Sequence, residues 1–346
     1  MKRVSPDRFA ARTSATAFTL IELLVVISII TLLLVVLLPA LSNARKSGQA
    51  TKCAANLHSV GQAVSTYLSE NNGVFPPSYV YPDADGNWGM DTQLPSNPYG
   101  YIHWSWFLYS GGQAPETAFQ CPTIPNGGHP RTNPGRAGWE DGQADQNGQT
   151  SPNQLEDRQA IRMAYTANAA IMPRNKFTQT LSGGQRVNML VNESRIHDGG
   201  RTILLTEFNK NWKSTGVDAG GGVVVKSHRP VNPFFHISSG SNEYAAGIDT
   251  PGFTYGDEPY FGLLPAKQVE NATALIDNPG LSEINSVGRH HPGGDVYTGG
   301  TANFLYADMH VDKKSVLTTM QTREWGLRYY GLDGYNRVGP PWPSQN

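Results

Sequence analysis

The chain has 346 residues, enough for one large or two modest domains. Charged residues make up 16% of it against a usual ~25%, and the formal net charge is −1, which argues against nucleic acid as the main partner. With 37 Gly and 24 Pro, the composition favours strands, turns and loops over a helical bundle.

The first segment, residues 1–17, carries Lys2, Arg3, Arg8 and Arg12 against Asp7 and has no apolar run. From Phe18 to Leu38 the chain is apolar, interrupted only by Thr19, Glu22, Ser28 and Thr31. About 20 such residues cross a bilayer core as a helix, and the basic flank is expected to stay on the cytoplasmic side. Three readings compete. A secretory signal peptide has a shorter apolar region of about 7–15 residues, although Ser42-Asn43-Ala44 offers a small-residue cleavage site. An unprocessed membrane anchor is the second. Neither accounts for Glu22, because a carboxylate inside an apolar span costs about 2.5–3.5 kcal/mol or more unless it is paired.

The third reading accounts for it. Ala17-Phe18-Thr19-Leu20-Ile21-Glu22, followed by Leu23-Leu24-Val25-Val26-Ile27, resembles the N-terminal methylation motif of type IV pilins and type II secretion pseudopilins. The resemblance implies that a prepilin peptidase cuts between Ala17 and Phe18 and methylates the new amine on Phe18. Counted from Phe18, Glu22 is fifth and Pro39 twenty-second, as in the family. Ala17 stands where the family usually has Gly. The resemblance further implies that the new amine pairs with the Glu22 of a neighbouring subunit, offsetting the burial cost of both charges. Glu22 and Pro39 are then the assembly residues, and an uncut leader blocks assembly.

Pro39 is expected to kink the helix. Beyond it the pattern turns amphipathic, with apolar or small residues at Leu41, Ala44, Cys53, Leu57, Val60, Val64, Tyr67 and Leu68. Asn71-Asn72-Gly73 and then Pro76-Pro77 stop it. A helix over roughly 19–70 is about 75–80 Å long at 1.5 Å per residue. His58 reads as a solvated or interface residue. Lys52-Cys53-Ala54-Ala55-Asn56-Leu57, later Gly73-Val74-Phe75-Pro76-Pro77, and Ala118-Phe119-Gln120-Cys121-Pro122 are similar to motifs of a pilin-like subfamily.

The chain has two cysteines, Cys53 and Cys121, in no C-x-x-C pair and at no zinc-motif spacing. Export of the bulk of the chain opens the way to a Cys53–Cys121 disulfide. The other reading is two separate small buried hydrophobes.

Residues 71–346 show no long helical period. Strand candidates are Ile161–Ala167, Thr202–Phe208, Gly222–Lys226, Ala302–Ala307 and His310–Val316, with Ala137–Gln154 read as an exposed loop. Tyr101-Ile102-His103-Trp104-Ser105-Trp106-Phe107 reads as core before ligand platform, and Glu207 as a buried, paired carboxylate. Segment 289–316, with Arg289-His290-His291-Pro292-Gly293-Gly294 and then Ala302-Asn303-Phe304-Leu305-Tyr306-Ala307-Asp308-Met309-His310-Val311, resembles the processing-associated H-x9-D-G domain of pilin-like proteins. Asp295–Gly300 reads there as an inserted loop, and Met309 replaces the family's Gly.

No nucleophile elbow or phosphate loop appears, and Ser182-Gly183-Gly184 reads as a turn. His290, His291, Asp308, His310 and Asp312 are metal-ligand types, and Asp308, His310 and Asp312 would share one face of a strand. The alternative is a polar face of hydrogen-bonded side chains. Asp83-Ala84-Asp85-Gly86-Asn87 fails the EF-hand template, with Trp88 at the sixth position and Leu94 at the twelfth, though calcium on a looser oxygen set stays open.

The expected architecture is α+β: a basic leader 1–17, a transmembrane and amphipathic pilin-like helix 18–70, and a β-rich head 71–346. The expected role is a minor or specialised structural subunit of a type IV pilus or type II secretion-like pseudopilus, not an enzyme. Its expected partners are prepilin peptidase, other pilin or pseudopilin subunits, the inner-membrane assembly machinery and membrane lipid. It would sit in the bacterial inner membrane with the N-terminus cytoplasmic, then in a periplasmic or surface filament. The alternative is a membrane-tethered or secreted β-rich domain that binds, for example, a surface polysaccharide.

Overall fold

A computed structural model describes residues 19–82, 88–89, 99–173, 190–236, 260–263, 269, 283–295, 297–331 and 337–338. Ala17, Phe18, the Asp83–Asn87 segment and Ser182–Gly184 lie outside the described residues. The class is α+β, as the composition and periodicity predict. The chain divides into two compact units, one ending at Lys46 and the other beginning at Ser47.

Helix α1 spans Leu20–Glu70 and contains Pro39. In the first unit its leucines, isoleucines and valines are exposed, and the helix is long and apolar enough to cross a membrane. Leu41 and Ala44, which the sequence pattern puts on the buried face, are exposed. In the second unit α1 buries Ala50, Cys53, Leu57, Val60, Gly61, Ala63, Val64 and Leu68, a single stripe with steps of three and four. His58 is exposed. The helix stops where the sequence says. Asn72 and Gly73 take φ of 54° and 75°, and the Gly73 N–H donates to Leu68 O at 2.7 Å, which satisfies an orphan carbonyl of the last turn.

The stripe belongs to a core built on one antiparallel sheet. Its order is His291–Asp295, Gly299–Tyr306, Ile203–Glu207, Tyr165–Ala167, with Val311–Lys314 also pairing Gly299–Tyr306. All five residues of Ile203–Glu207 are buried, as expected for a strand with neighbours on both edges and a core on both faces. Gly61 lets α1 approach this sheet closely. A Cβ there would stand 2.8 Å from Leu305 Cδ1.

Smaller sheets surround this centre, such as Tyr79–Pro82 with Ile102–His103, and Gly216–Asp218 with Val223–Val225. The Tyr101–Phe107 segment forms the Ile102–His103 strand and the start of helix α2 (Trp104–Tyr109), with Trp104 and Leu108 in the core. A satellite cluster joins Tyr79, Tyr81 and Tyr101, with His228 stacked on Tyr101 at 4.0 Å.

The tertiary structure redraws several segments. Ile161–Ala167 is split at Ala164. Arg162–Met163 pairs with His129–Pro130, while Tyr165–Ala167 joins the central sheet. Ala137–Gln154 is not a free loop: Gln143, Ala144 and Asp145 are buried, and Gln143–Ala144 pairs in parallel with Val223–Val225. Asp145 accepts from the Asn147 and Gln149 N–H groups at 2.8 and 2.9 Å and from Asn153 Nδ2 at 2.6 Å. Polar composition at these positions signals internal turn chemistry, not solvent. The last expected strand is shortened to Val311–Lys314, because Ser315 accepts from the Thr318 N–H at 3.1 Å and starts helix α3 (Val316–Gln321).

Candidate functional sites

The N-terminus of α1 is built by a capping box. The Glu22 N–H donates to Thr19 Oγ1 at 3.2 Å. Glu22 Oε2 in turn accepts from the Thr19 N–H and hydroxyl at 2.9 and 2.8 Å. Thr19-Leu20-Ile21-Glu22 is the T-x-x-E pattern that satisfies two orphan donors reciprocally. Glu22 therefore has a partner within its own chain, a local role that its spacing from Thr19 already signals.

The second site lies under the junction of α1 with the central sheet. Cys53 of α1 is bonded to Cys121, with Cα atoms 4.8 Å apart, and both are fully buried. Of the two readings of the cysteines, the disulfide is the one present. Residues around it fasten the same junction. Asn56 Nδ2 donates to Gln120 O at 2.7 Å, and the Tyr165 hydroxyl donates to Cys53 O at 2.9 Å. Burial, and then the charge of Glu207, push the Tyr165 hydroxyl far above the usual phenol range, so it stays a donor.

Glu207 ends a buried strand and is itself fully buried. A buried carboxylate is tolerated only when its lone pairs are met. Here Oε2 accepts from the Asn303 N–H and Oε1 from Asn303 Nδ2, each at 2.8 Å. His291 Nε2 lies 2.9 Å from Oε1 and His290 Nε2 3.7 Å from Oε2. This is the paired carboxylate that the sequence suggests. Burial lowers the His290 pKa to about 4, against a raising effect of Glu207, so the ring is neutral at pH 7. Cys121 Sγ stands 3.9 Å from Glu207 Oε1 and, in the disulfide, has no proton to donate to it.

Asp308, His310 and Asp312 do not share one strand face, the arrangement a metal set there would need. Asp308 and His310 lie in the turn between Gly299–Tyr306 and Val311–Lys314, because the strands end before the turn and side-chain alternation no longer applies. Asp308 Oδ1 pairs with His310 Nδ1 at 2.5 Å, and this bond holds the Asp308 carboxyl below its usual range against a raising effect of burial. The His310 ring stacks on Tyr306 at 4.2 Å. Asp312 pairs instead with Lys314 Nζ at 3.2 Å. A positive φ occurs in this turn at a residue other than Gly. Met309 itself takes φ of 71°. Of the segment read as an inserted loop, Asp295 pairs opposite Gly299, and its Oδ1 accepts from the Thr298 N–H at 2.6 Å.

For two residues of the buried site the sequence assigns no role: Asn303 lies within the Ala302–Val311 motif but among apolar neighbours, and Tyr165 lies in a run with no motif. An apolar strand ending in Glu207 does carry a signal, since such a carboxylate must find donors, but it does not say from where. Comparison with protein-family models, with curated proteins and with solved structures returns no match for this chain.

Proposed function

We propose that the chain is a structural subunit of a pilin-like filament, of the type IV pilus or type II secretion kind, made as a membrane-anchored precursor and cut before Phe18 by a prepilin peptidase. It is the substrate of an enzyme and not an enzyme. The reading is supported above all by one feature: a single helix, Leu20–Glu70, that exposes an apolar first stretch and builds its last stretch into a β-rich head. The first stretch serves as membrane anchor and later as filament core. The precursor sits in the bacterial inner membrane with its N-terminus cytoplasmic and its head outside, and the mature subunit enters a periplasmic or surface filament with its sister subunits.

Glu22 performs two tasks in this scheme. In the precursor it caps its own helix through Thr19. After cleavage its charge attracts the methylated amine of a neighbour's Phe18. The two tasks separate by substitution. Glu22→Gln keeps a capping-box side chain but removes the charge, whereas Glu22→Ala removes both. Glu22→Gln is expected to insert into membranes as wild type and to enter filaments at least about tenfold less, as loss of a paired charge in an apolar core implies. Mass spectrometry of the mature chain should give methylated Phe18 as first residue. A mature start at Arg45, or wild-type incorporation of Glu22→Gln, would refute the scheme.

A further inference from the structure

Two sulfurs, a carboxylate and two imidazoles meet at one place in the interior. The ligand atoms of Cys53, Cys121, Glu207 and His291 all lie within 4.8 Å of one another, and all four residues are buried. His290 adds a second imidazole, with Nε2 3.8 Å from Cys121 Sγ. The Nδ1 atoms of both histidines are buried with no hydrogen-bond partner among the described residues. Each such orphan costs about 1–3 kcal/mol. A core has no need of this concentration of polar groups, and a disulfide does not use it.

Opening the disulfide changes the chemistry of the pocket. Two thiolates, an imidazole and a carboxylate are the mixed S/N/O set that Zn2+ takes in tetrahedral geometry. Ligand atoms around such an ion stand about 3.3–3.8 Å apart, given Zn–S near ~2.3 Å and Zn–N or Zn–O near ~2.0 Å. Once the disulfide opens, the two sulfurs must move apart to about 3.8 Å, while the widest pair of the set closes by up to about 1 Å. Outer groups that would orient it are present. Thr123 Oγ1 stands 2.9 Å from Cys121 Sγ and 3.7 Å from Cys53 Sγ, in reach to donate to either thiolate. Asn303 already fixes both oxygens of Glu207.

We propose that the reduced chain binds one Zn2+-class cation between Cys53, Cys121, His291 and Glu207, and that this cation and the disulfide exclude each other. The disulfide is opened by a two-electron reductant. With a phosphine and one water, the products are two thiols and the phosphine oxide. The cation then displaces the two thiol protons to solvent. The same two residues would tie α1 to the Cys121 loop through a metal before oxidation and through a covalent bond after it.

The test uses the full-length chain in detergent micelles, oxidised or reduced with excess phosphine, and Co2+ as probe. The reduced chain is expected to take up one Co2+, with thiolate-to-cobalt charge-transfer absorption in the near ultraviolet and intense tetrahedral d–d bands in the visible. Zn2+ should displace it. The oxidised chain and the reduced Cys53→Ser/Cys121→Ser variant should show neither signal. His291→Gln keeps both sulfurs, yet should shift the d–d bands and weaken binding at least about tenfold. Near-ultraviolet circular dichroism reports the packing of the reduced chain. No uptake by reduced wild type, weak octahedral bands only, unchanged binding by His291→Gln, or equal affinity in urea would each overturn the site.

Discussion

Met309 occupies a left-handed backbone position, φ 71°, where the resembling family carries Gly. An L-residue there costs roughly 1–2 kcal/mol, most for β-branched side chains. Met309 is half-buried and packs against the main core, so its side chain recovers part of that cost. Two substitutions separate the backbone from the packing. Met309→Leu keeps the apolar volume and the unbranched Cβ. Met309→Ile keeps the volume but branches at Cβ. Denaturant titration should find Met309→Ile less stable than Met309→Leu by about 1–2 kcal/mol. Equal stabilities would mean the turn adjusts its φ without cost. The same scale explains why the Asp308/His310/Asp312 reading failed. Face-sharing needs an unbroken strand, and the turn at Met309 interrupts it after Tyr306.

At the scale of elements, α1 carries two glycines in different surroundings. Gly48 has open space around its missing Cβ. Gly61 faces Leu305 of the Gly299–Tyr306 strand, whose Cδ1 would lie 2.8 Å from a Cβ. Gly48→Ala should therefore stabilise by up to about 1 kcal/mol, the helix-propensity difference. Gly61→Leu gains the same propensity but forces a large side chain into a filled interface, which costs about 1–3 kcal/mol or more. Its net effect should be destabilising, and adding Leu305→Ala should restore part of the loss, a coupling readable in a double-mutant cycle. Additive effects of the two changes would place the helix–sheet contact elsewhere. The disulfide pins the same helix to the Cys121 loop. It closes a loop of sequence separation 68, worth about 4 kcal/mol in the chain-entropy account.

Across the whole molecule, buried titratable groups set how stability depends on pH. Burial lowers the pKa of His103 to about 3, and those of His129 and His290 to about 4. Each ring is neutral in the fold but charges below about 6.5 in the unfolded chain. Their contribution is present above pH 6.5 and is lost as pH falls toward 4. Asp157 runs the other way. Burial raises its pKa to about 6, opposed by its bonds to the Asn133 side chain, the Asn133 N–H and the Tyr101 N–H. Its contribution is present below the unfolded value and lost as pH rises through 6. Three groups oppose one, so the thermal midpoint of the full chain should fall between pH 6.5 and 4. A flat or rising midpoint over that range would mean the histidine pockets hydrate before the molecule unfolds.

The sequence by itself determined the local features of this protein. The extent of α1, its Asn72-Gly73 stop, its buried stripe from Cys53 to Leu68 and the strands around Ile203–Glu207 and Ala302–Tyr306 follow from periodicity and turn residues within a few positions of each other. Only the tertiary structure decided what met what. Cys53 reaches Cys121, and Glu207 gathers Asn303, His290 and His291, across sequence separations of 68 to 96 residues. No zinc spacing appears in the chain, because spacing records ligands that share one turn or hairpin. Here they come from a helix, a loop and two strands. The same holds for Gln143 and Asp145, polar in sequence and buried in fact, since hydrogen-bond partners within the protein can replace water.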